Sequence, residues 1–191
     1  YATAGDHLIR IRGSFPNIYF NNTGDKLKVK SVGNLGIVGW TKLDKAFYGC
    51  TNLTSFTVGT TDTSSVTNMA SIFRQCTDLT SLDLSSFDTS SVTNMVQMFQ
   101  FASNVTTLDV SSFDTSSVGN MSNMFYNCSS LTSLDVSNFN TSSVSSMSNM
   151  FRQCTDLTSL DVSNFDTSSL SSMASIFRQC TNLTSLDVSS F

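Results

Sequence analysis

LTSLDVSNFNTSSVSSMSNMFRQCTD, residues 131–156, decides the fold. It is one unit of a repeat with a period of 26 residues that does not slip. Phe47, Phe73, Phe99, Phe125, Phe151 and Phe177 stand 26 apart, as do Phe56, Leu82, Leu108, Leu134, Leu160 and Leu186. Met69, Met95, Met121, Met147 and Met173 keep the same interval. So do Cys50, Cys76, Cys128, Cys154 and Cys180, with Ala102 in the one gap. Five full units run from 53 to 182, and a sixth reaches Phe191. A period of this size marks a solenoid, in which each unit buries its apolar face against its neighbours.

The unit has two halves. LTSLDVS alternates apolar and polar after its first Leu, the period-2 pattern of a strand with one buried face. SSVSSMSNMFRQC places Val144, Met147, Phe151 and Cys154 at steps of three and four. That spacing predicts a short amphipathic helix. The DTSS or NTSS before it supplies side chains able to cap the helix start. Stacked units would pair their strands in parallel, about 4.8 Å apart.

Leu79, Leu82 and Leu84 stand at the L-x-x-L-x-L spacing, so the unit resembles a leucine-rich repeat. Phe87, Phe113, Phe139, Phe165 and Phe191 occupy the place where that family carries Asn or Cys, so a Phe spine is expected in place of the buried Asn ladder. With its SFDTSSVTNM…MF..C..L pattern the chain is similar to the BspA-like repeats of microbial surface proteins over residues 46–191. The resemblance implies an α/β leucine-rich-repeat solenoid, with a parallel β-sheet on one face and short helices on the other. It implies a location outside the cell or on its surface, adhesive roles and no catalytic residues.

Residues 1–45 differ, and are expected to form a small β-rich N-terminal cap with a degenerate first repeat that starts near Leu27. HLIRIRG, NIYF and KLKVKSV read as short strands between turn residues. Lys26, Lys28 and Lys30 would blunt an exposed strand edge. YATAGDHLIRIRG resembles the closing strand of PKD-like domains. At the other end, the repeat stops in phase at Phe191, so the array is expected to continue or to meet another molecule.

Charge narrows the functions. All 14 acidic residues are Asp. Residues 1–45 hold seven Lys/Arg and three Asp, a balance of +4; residues 46–191 hold three Arg and 11 Asp, a balance of −8. An acidic solenoid is no partner for nucleic acid, which needs a basic stripe. No apolar run is long enough to cross a bilayer. The single His7 lies outside the repeats, so no Ser-His-Asp or Cys-His set can be assembled around them. The cysteines are read as small core fillers, because Ala102 replaces one without loss of register. Disulfides between adjacent units are the second reading of the same column.

Two sets of residues are candidates for a ligand face. Asp83, Asp109, Asp135, Asp161 and Asp187 should point outward from the strands, one per unit, flanked by Ser and Thr. A second row is Asp88, Asp114, Asn140 and Asp166. These rows suit a cationic or sugar-bearing surface. No cofactor is expected, and Ca²⁺ is the metal whose oxygen preference they match. Against this stands the plain reading of a solvated face that keeps sheet edges from sticking. The second set lies where units vary: Arg74-Gln75, Gln100-Phe101, Tyr126-Asn127, Arg152-Gln153 and Arg178-Gln179. Phe101 and Tyr126 fall beside each other there, as a sticky spot for a partner or as partly buried filler.

The expected function is a non-catalytic microbial surface or secreted binding and adhesion module. Its partners would be a host or matrix protein or a glycan surface. The alternative is a structural spacer or a self-associating filament subunit stacked through open solenoid ends. Ice binding through the Thr63, Thr89, Thr115, Thr141 and Thr167 row is a third idea.

Overall fold

A computed structural model describes residues 5–10 and 12–191. The chain winds into stacked coils that return to the same side once per repeat. Short strands mark that side: β1 (Ser31–Val32), β2 (Ser55–Thr57), β3 (Ser81–Asp83), β4 (Ser159–Asp161) and β5 (Ser185–Asp187). All pairing is parallel, in the orders β1-β2-β3 and β4-β5. Between the two sheets the coils meet through the parallel bridge Thr107↔Ser133. Leu82 pairs with Phe56, and Leu160 with Leu186, the 26-residue register read from the sequence. The first coil is shorter: Ser31 pairs with Ser55, an interval of 24.

The expected helices do not form. Among the described residues the only helical element is a 3₁₀ turn at Lys26–Lys28. The opposite side is built from consecutive tight turns. Met124 N–H bonds the Met121 carbonyl, Tyr126 N–H that of Asn123, and Cys128 N–H that of Phe125. The intervening N–H groups leave the coil: those of Asn123, Phe125 and Asn127 bond the carbonyls of Ser148, Met150 and Arg152 in the next coil. Asn123 and Asn127 sit at φ 59°, in the left-handed region. Each is the third residue of its turn, where a type II turn requires positive φ. The same two places are left-handed in every full repeat, at Ser71 and Gln75, Gln97 and Phe101, Asn149 and Gln153, Ser175 and Gln179. A left-handed residue ends any α-helix. Forward bonds to the next coil satisfy the backbone instead.

Core placement nevertheless follows the reading. Val144, Met147, Phe151 and Cys154 are all fully buried. Two turns in succession project inward at three- and four-residue steps, which mimics a helical stripe. The core lies between the strand side and the turn side: Phe56 of β2 meets the Phe73 ring edge-on at 4.7 Å. The stacked aromatic spine is the turn-side column. Phe73, Phe99, Phe125, Phe151 and Phe177 lie nearly parallel, with centroids 5.6–5.8 Å apart. Phe87, Phe113, Phe139 and Phe165 are buried as expected, but this ring-on-ring spine is not theirs.

The hydrogen-bonding task of a buried Asn ladder falls to threonine. Thr63, Thr89, Thr115 and Thr141 are buried, and each Oγ1 donates to a carbonyl of the next coil and accepts that residue's N–H. Being buried, they cannot present a surface to ice. Asn138 and Asn164 reinforce the stack, each donating from Nδ2 to three carbonyls of the preceding coil.

The N-terminal stretch is less regular than expected. Lys26 and Lys28 lie in the 3₁₀ turn, so KLKVKSV contributes only β1 at its end. NIYF contributes one bridge, Asn17↔Lys42. The described residues of HLIRIRG form no strand, and Ile11 and residues 1–4, which bear on the PKD-like resemblance, lie outside the described residues.

Candidate functional site

The strands set the first candidate face. A three-residue strand such as Ser81–Asp83 turns its middle residue inward and its flanking residues to solvent. Asp83, Asp109, Asp135, Asp161 and Asp187 are accordingly exposed, one per coil. Each carboxylate also closes a local turn. Asp83 Oδ1 accepts from Ser85 N–H at 3.1 Å and from Ser85 Oγ at 2.7 Å. Asp109 holds Ser111 in the same way, at 2.9 and 2.6 Å. Asp135, Asp161 and Asp187 accept from the N–H of Ser137, Ser163 and Ser189. This Asx turn bends the chain out of the strand.

The second row repeats the device. Asp62, Asp88, Asp114, Asn140 and Asp166 accept from the N–H two residues on. The expected helix caps are therefore turn closures.

These bonds lower the carboxyl pKa values. The Ser85 hydroxyl, then its N–H, holds the Asp83 carboxyl below the ordinary value, and slight desolvation and then repulsion from Asp109 are the weaker, opposing influences. Asp109, Asp135 and Asp161 are lowered by the same causes, and Asp187 chiefly by the Ser189 N–H. The column stays ionised although its members neighbour one another.

Two shallow troughs run along this face. One, of about 480 Å³, is lined by residues that include Ser133, Asp135, Ser159, Asp161, Ser185 and Asp187. The other, of about 350 Å³, lies over Thr107, Asp109, Ser111, Ser133 and Asp135. Beside them runs a row that the sequence reading missed. Thr80, Thr132, Thr158 and Thr184 are exposed, and each Oγ1 donates to the threonine carbonyl one coil back. Its 26-residue spacing was the available signal.

Among the described residues no three carboxylates, thiols or imidazoles converge to hold a metal ion. The five cysteines are free thiols, of which Cys50, Cys76, Cys128 and Cys154 are buried. Cys76, Cys128 and Cys154 donate from Sγ to the carbonyls of Phe47, Phe99 and Phe125 at 3.1–3.2 Å. Burial pushes the Cys50 and Cys128 thiols up to about 12.

Phe101 and Tyr126 lie on the turn side, across the core from the Asp column, so the two sets of candidates form separate surfaces. Both rings are half-buried and in contact, with centroids 5.1 Å apart. Phe101 borders, and Tyr126 belongs to, a column that was legible only as variation between units: Tyr48, Arg74, Gln100, Tyr126, Arg152 and Arg178. The Arg74 guanidinium lies over Tyr48 at 4.8 Å, and that of Arg152 over Tyr126 at 5.3 Å. No described helix is long and apolar enough to cross a membrane.

A family model described as "Mycoplasma protein of unknown function, DUF285" matches residues 41–134 and 105–191. No curated protein sequence matches the chain. Among solved structures, the chain is similar to the leucine-rich-repeat protein TpLRR of T. pallidum, with a TM-score of 0.58 and 21% identity over 89% of this chain and 72% of that one. A leucine-rich cell surface protein of Faecalibacterium prausnitzii A2-165 matches at a TM-score of 0.44 and 18% identity, over 78% of this chain and 36% of that one. A leucine-rich-repeat protein of Bacteroides ovatus ATCC 8483 matches at 0.38 and 16%, over 89% of this chain and 58% of that one. The chain thus spans less than two thirds of the length of these last two. The BspA-like, leucine-rich-repeat resemblance read from the sequence stands, as a likeness of repeat and fold.

Proposed function

The chain belongs to the DUF285 family, and from that premise we propose that it is a non-catalytic binding and adhesion module, displayed outside the cell or on its surface. The supporting observation is the strand face: exposed Asp, Ser and Thr columns in fixed register, with two shallow troughs along them. Short side chains tied into turns lose little freedom on binding. A partner with its own repeating groups gains avidity from the number of coils it touches. A host or matrix protein or a glycan surface is such a partner.

The test is a binding screen against matrix proteins and glycans, using the chain and its Asp109→Ser, Asp135→Ser, Asp161→Ser triple variant. The expected result is a bound partner that the triple variant loses. A partner held equally by both proteins sinks the strand-face assignment. The competing reading, a spacer or self-assembling filament subunit, draws on the same register-locked coils. Light scattering over a concentration series separates them, since only the filament subunit grows in mass.

A further inference from the structure

We propose that the turn-side strip formed by Gln100, Phe101, Tyr126, Arg152 and Arg178 binds a polyanionic saccharide, a sugar chain carrying carboxylate or sulfate groups. The inference rests on the reading of this chain as a binding module, but it concerns a different surface and a ligand of opposite charge.

Charge is the first ground. Every basic residue of 46–191 falls in one column, as Arg74, Arg152 and Arg178. Ion pairs do form elsewhere, at Lys28–Asp25 and Lys30–Asp6. Among the described residues none of the three arginines has one. The carboxylates of the strand face lie across the core, so a polyanion is steered to the turn side and repelled from the other.

Unmet hydrogen-bonding capacity is the second. Arg74 Nε, Gln100 Oε1 and Arg152 Nε are buried side-chain atoms with no hydrogen-bond partner, and all three lie in this same column. Gln100 is only 4% exposed. Buried polar atoms are ordinarily paired, and an orphan calls for a cause such as an ordered water or an ion. The set is also mixed in kind. Gln100 Oε1 needs a donor such as a sugar hydroxyl, whereas a guanidinium needs an anion and favours planar, two-point contact.

The aromatic pair is the third. Phe101 occupies a left-handed position, φ 62°, where other coils have Gly49, Gln75, Asn127, Gln153 and Gln179. A bulky side chain is disfavoured in that conformation. Its ring stays half-buried against Tyr126 rather than entering the core. Tyr126 is flanked by the Phe101 ring and by the Arg152 guanidinium, so half-buried apolar rings and a cation lie side by side for a sugar to contact. On this side equivalent rings of successive coils lie 5.6–5.8 Å apart, close to the length of one pyranose unit in an extended chain. Tyr126, Arg152 and Arg178 would each meet a successive sugar.

Calorimetric titration of the full chain tests this with four probes: a heparin-derived hexasaccharide, an oligogalacturonate, neutral cellohexaose and a poly-aspartate peptide. The two anionic saccharides are expected to bind, more weakly as salt rises, and cellohexaose is not. Arg152→Gln with Arg178→Gln should weaken binding roughly tenfold or more. Phe101→Gln with Tyr126→Gln should weaken it by a similar factor, each variant melting as a folded protein. Asp135→Ser with Asp161→Ser should leave it unchanged or tighter, which separates this surface from the strand face. The proposal is overturned if neither anionic saccharide binds at low salt. It is equally overturned if poly-aspartate binds as tightly as they do and the aromatic variant binds like the parent, for then charge alone is at work.

Discussion

Thr115 Oγ1 donates to the Asn140 carbonyl at 3.0 Å and accepts the Asn140 N–H at 2.8 Å. One hydroxyl thereby satisfies both backbone groups of a residue in the next coil, inside the fold. Thr115→Val keeps the shape and removes both bonds. Leaving a buried donor and acceptor unpaired costs about 1–3 kcal/mol each. The variant is expected to lose at least about 1 kcal/mol in urea unfolding, and Thr115→Ser clearly less. A Thr115→Val variant as stable as the parent would refute the ladder.

Acid should act through the Asp turns. Their folded pKa values lie below the ordinary one because serine donates to the ionised form. Such a group contributes stability that is present above the unfolded value, about 3.9, and lost as pH falls through the folded values. Thermal melts should change little from pH 7 down to about 4 on this account and then fall. Asn140 already closes the same turn without a charge, by accepting from Ser142 N–H and Oγ. Asp109→Asn with Asp161→Asn should therefore melt like the parent at pH 7 and lose less below pH 4. An unaltered acid response in the double variant would remove the turns as its cause.

The strand half of the repeat was legible because its two signals agree. Alternation around Leu134 and Leu160 sets the face, and the 26-residue period sets parallel register. The turn half misled because Val144, Met147 and Phe151 reach the core at helical intervals without a helix. Periodicity reports which residues point inward, not the backbone path between them. The overlooked clue was chemical. Asn, Ser, Gln or Gly stands at both left-handed places in all but two instances, Lys45 and Phe101. Asn and Gly are the residues that best tolerate that conformation. The outward placement of the Asp column was legible, whereas its bond to the serine two residues on was not, since spacing alone cannot separate a ligand carboxylate from a turn closure. The orphaned atoms of Arg74, Gln100 and Arg152 depend on side-chain packing, which no one-dimensional pattern carries.

Thiol chemistry should report the integrity of the coils. A thiol held near 12, as at Cys128, is ionised only to roughly one part in ten thousand at pH 8. Burial also blocks the reagent. Iodoacetamide on the native chain is expected to modify Cys180 first, the one cysteine that is only partly buried. Cys128 and Cys154 should react only after denaturation, as mass spectrometry would read it. Rapid native labelling of Cys128 would contradict the packed stack.

Substitution at Asn127 distinguishes the turn from the helix that the sequence suggests. Its φ of 59° is open to glycine at no steric cost. Asn127→Gly should leave the melting temperature unchanged or raise it slightly. Asn127→Val forces a β-branched residue into the left-handed region and should cost about 1–2 kcal/mol. In a helix the order reverses, because glycine there is the poorer former and valine costs only a fraction of a kcal/mol. The sign of the difference between the two variants is the measurement. A glycine variant less stable than the valine variant would restore the helical face, and with it would go the ladder of forward bonds from Asn123, Phe125 and Asn127.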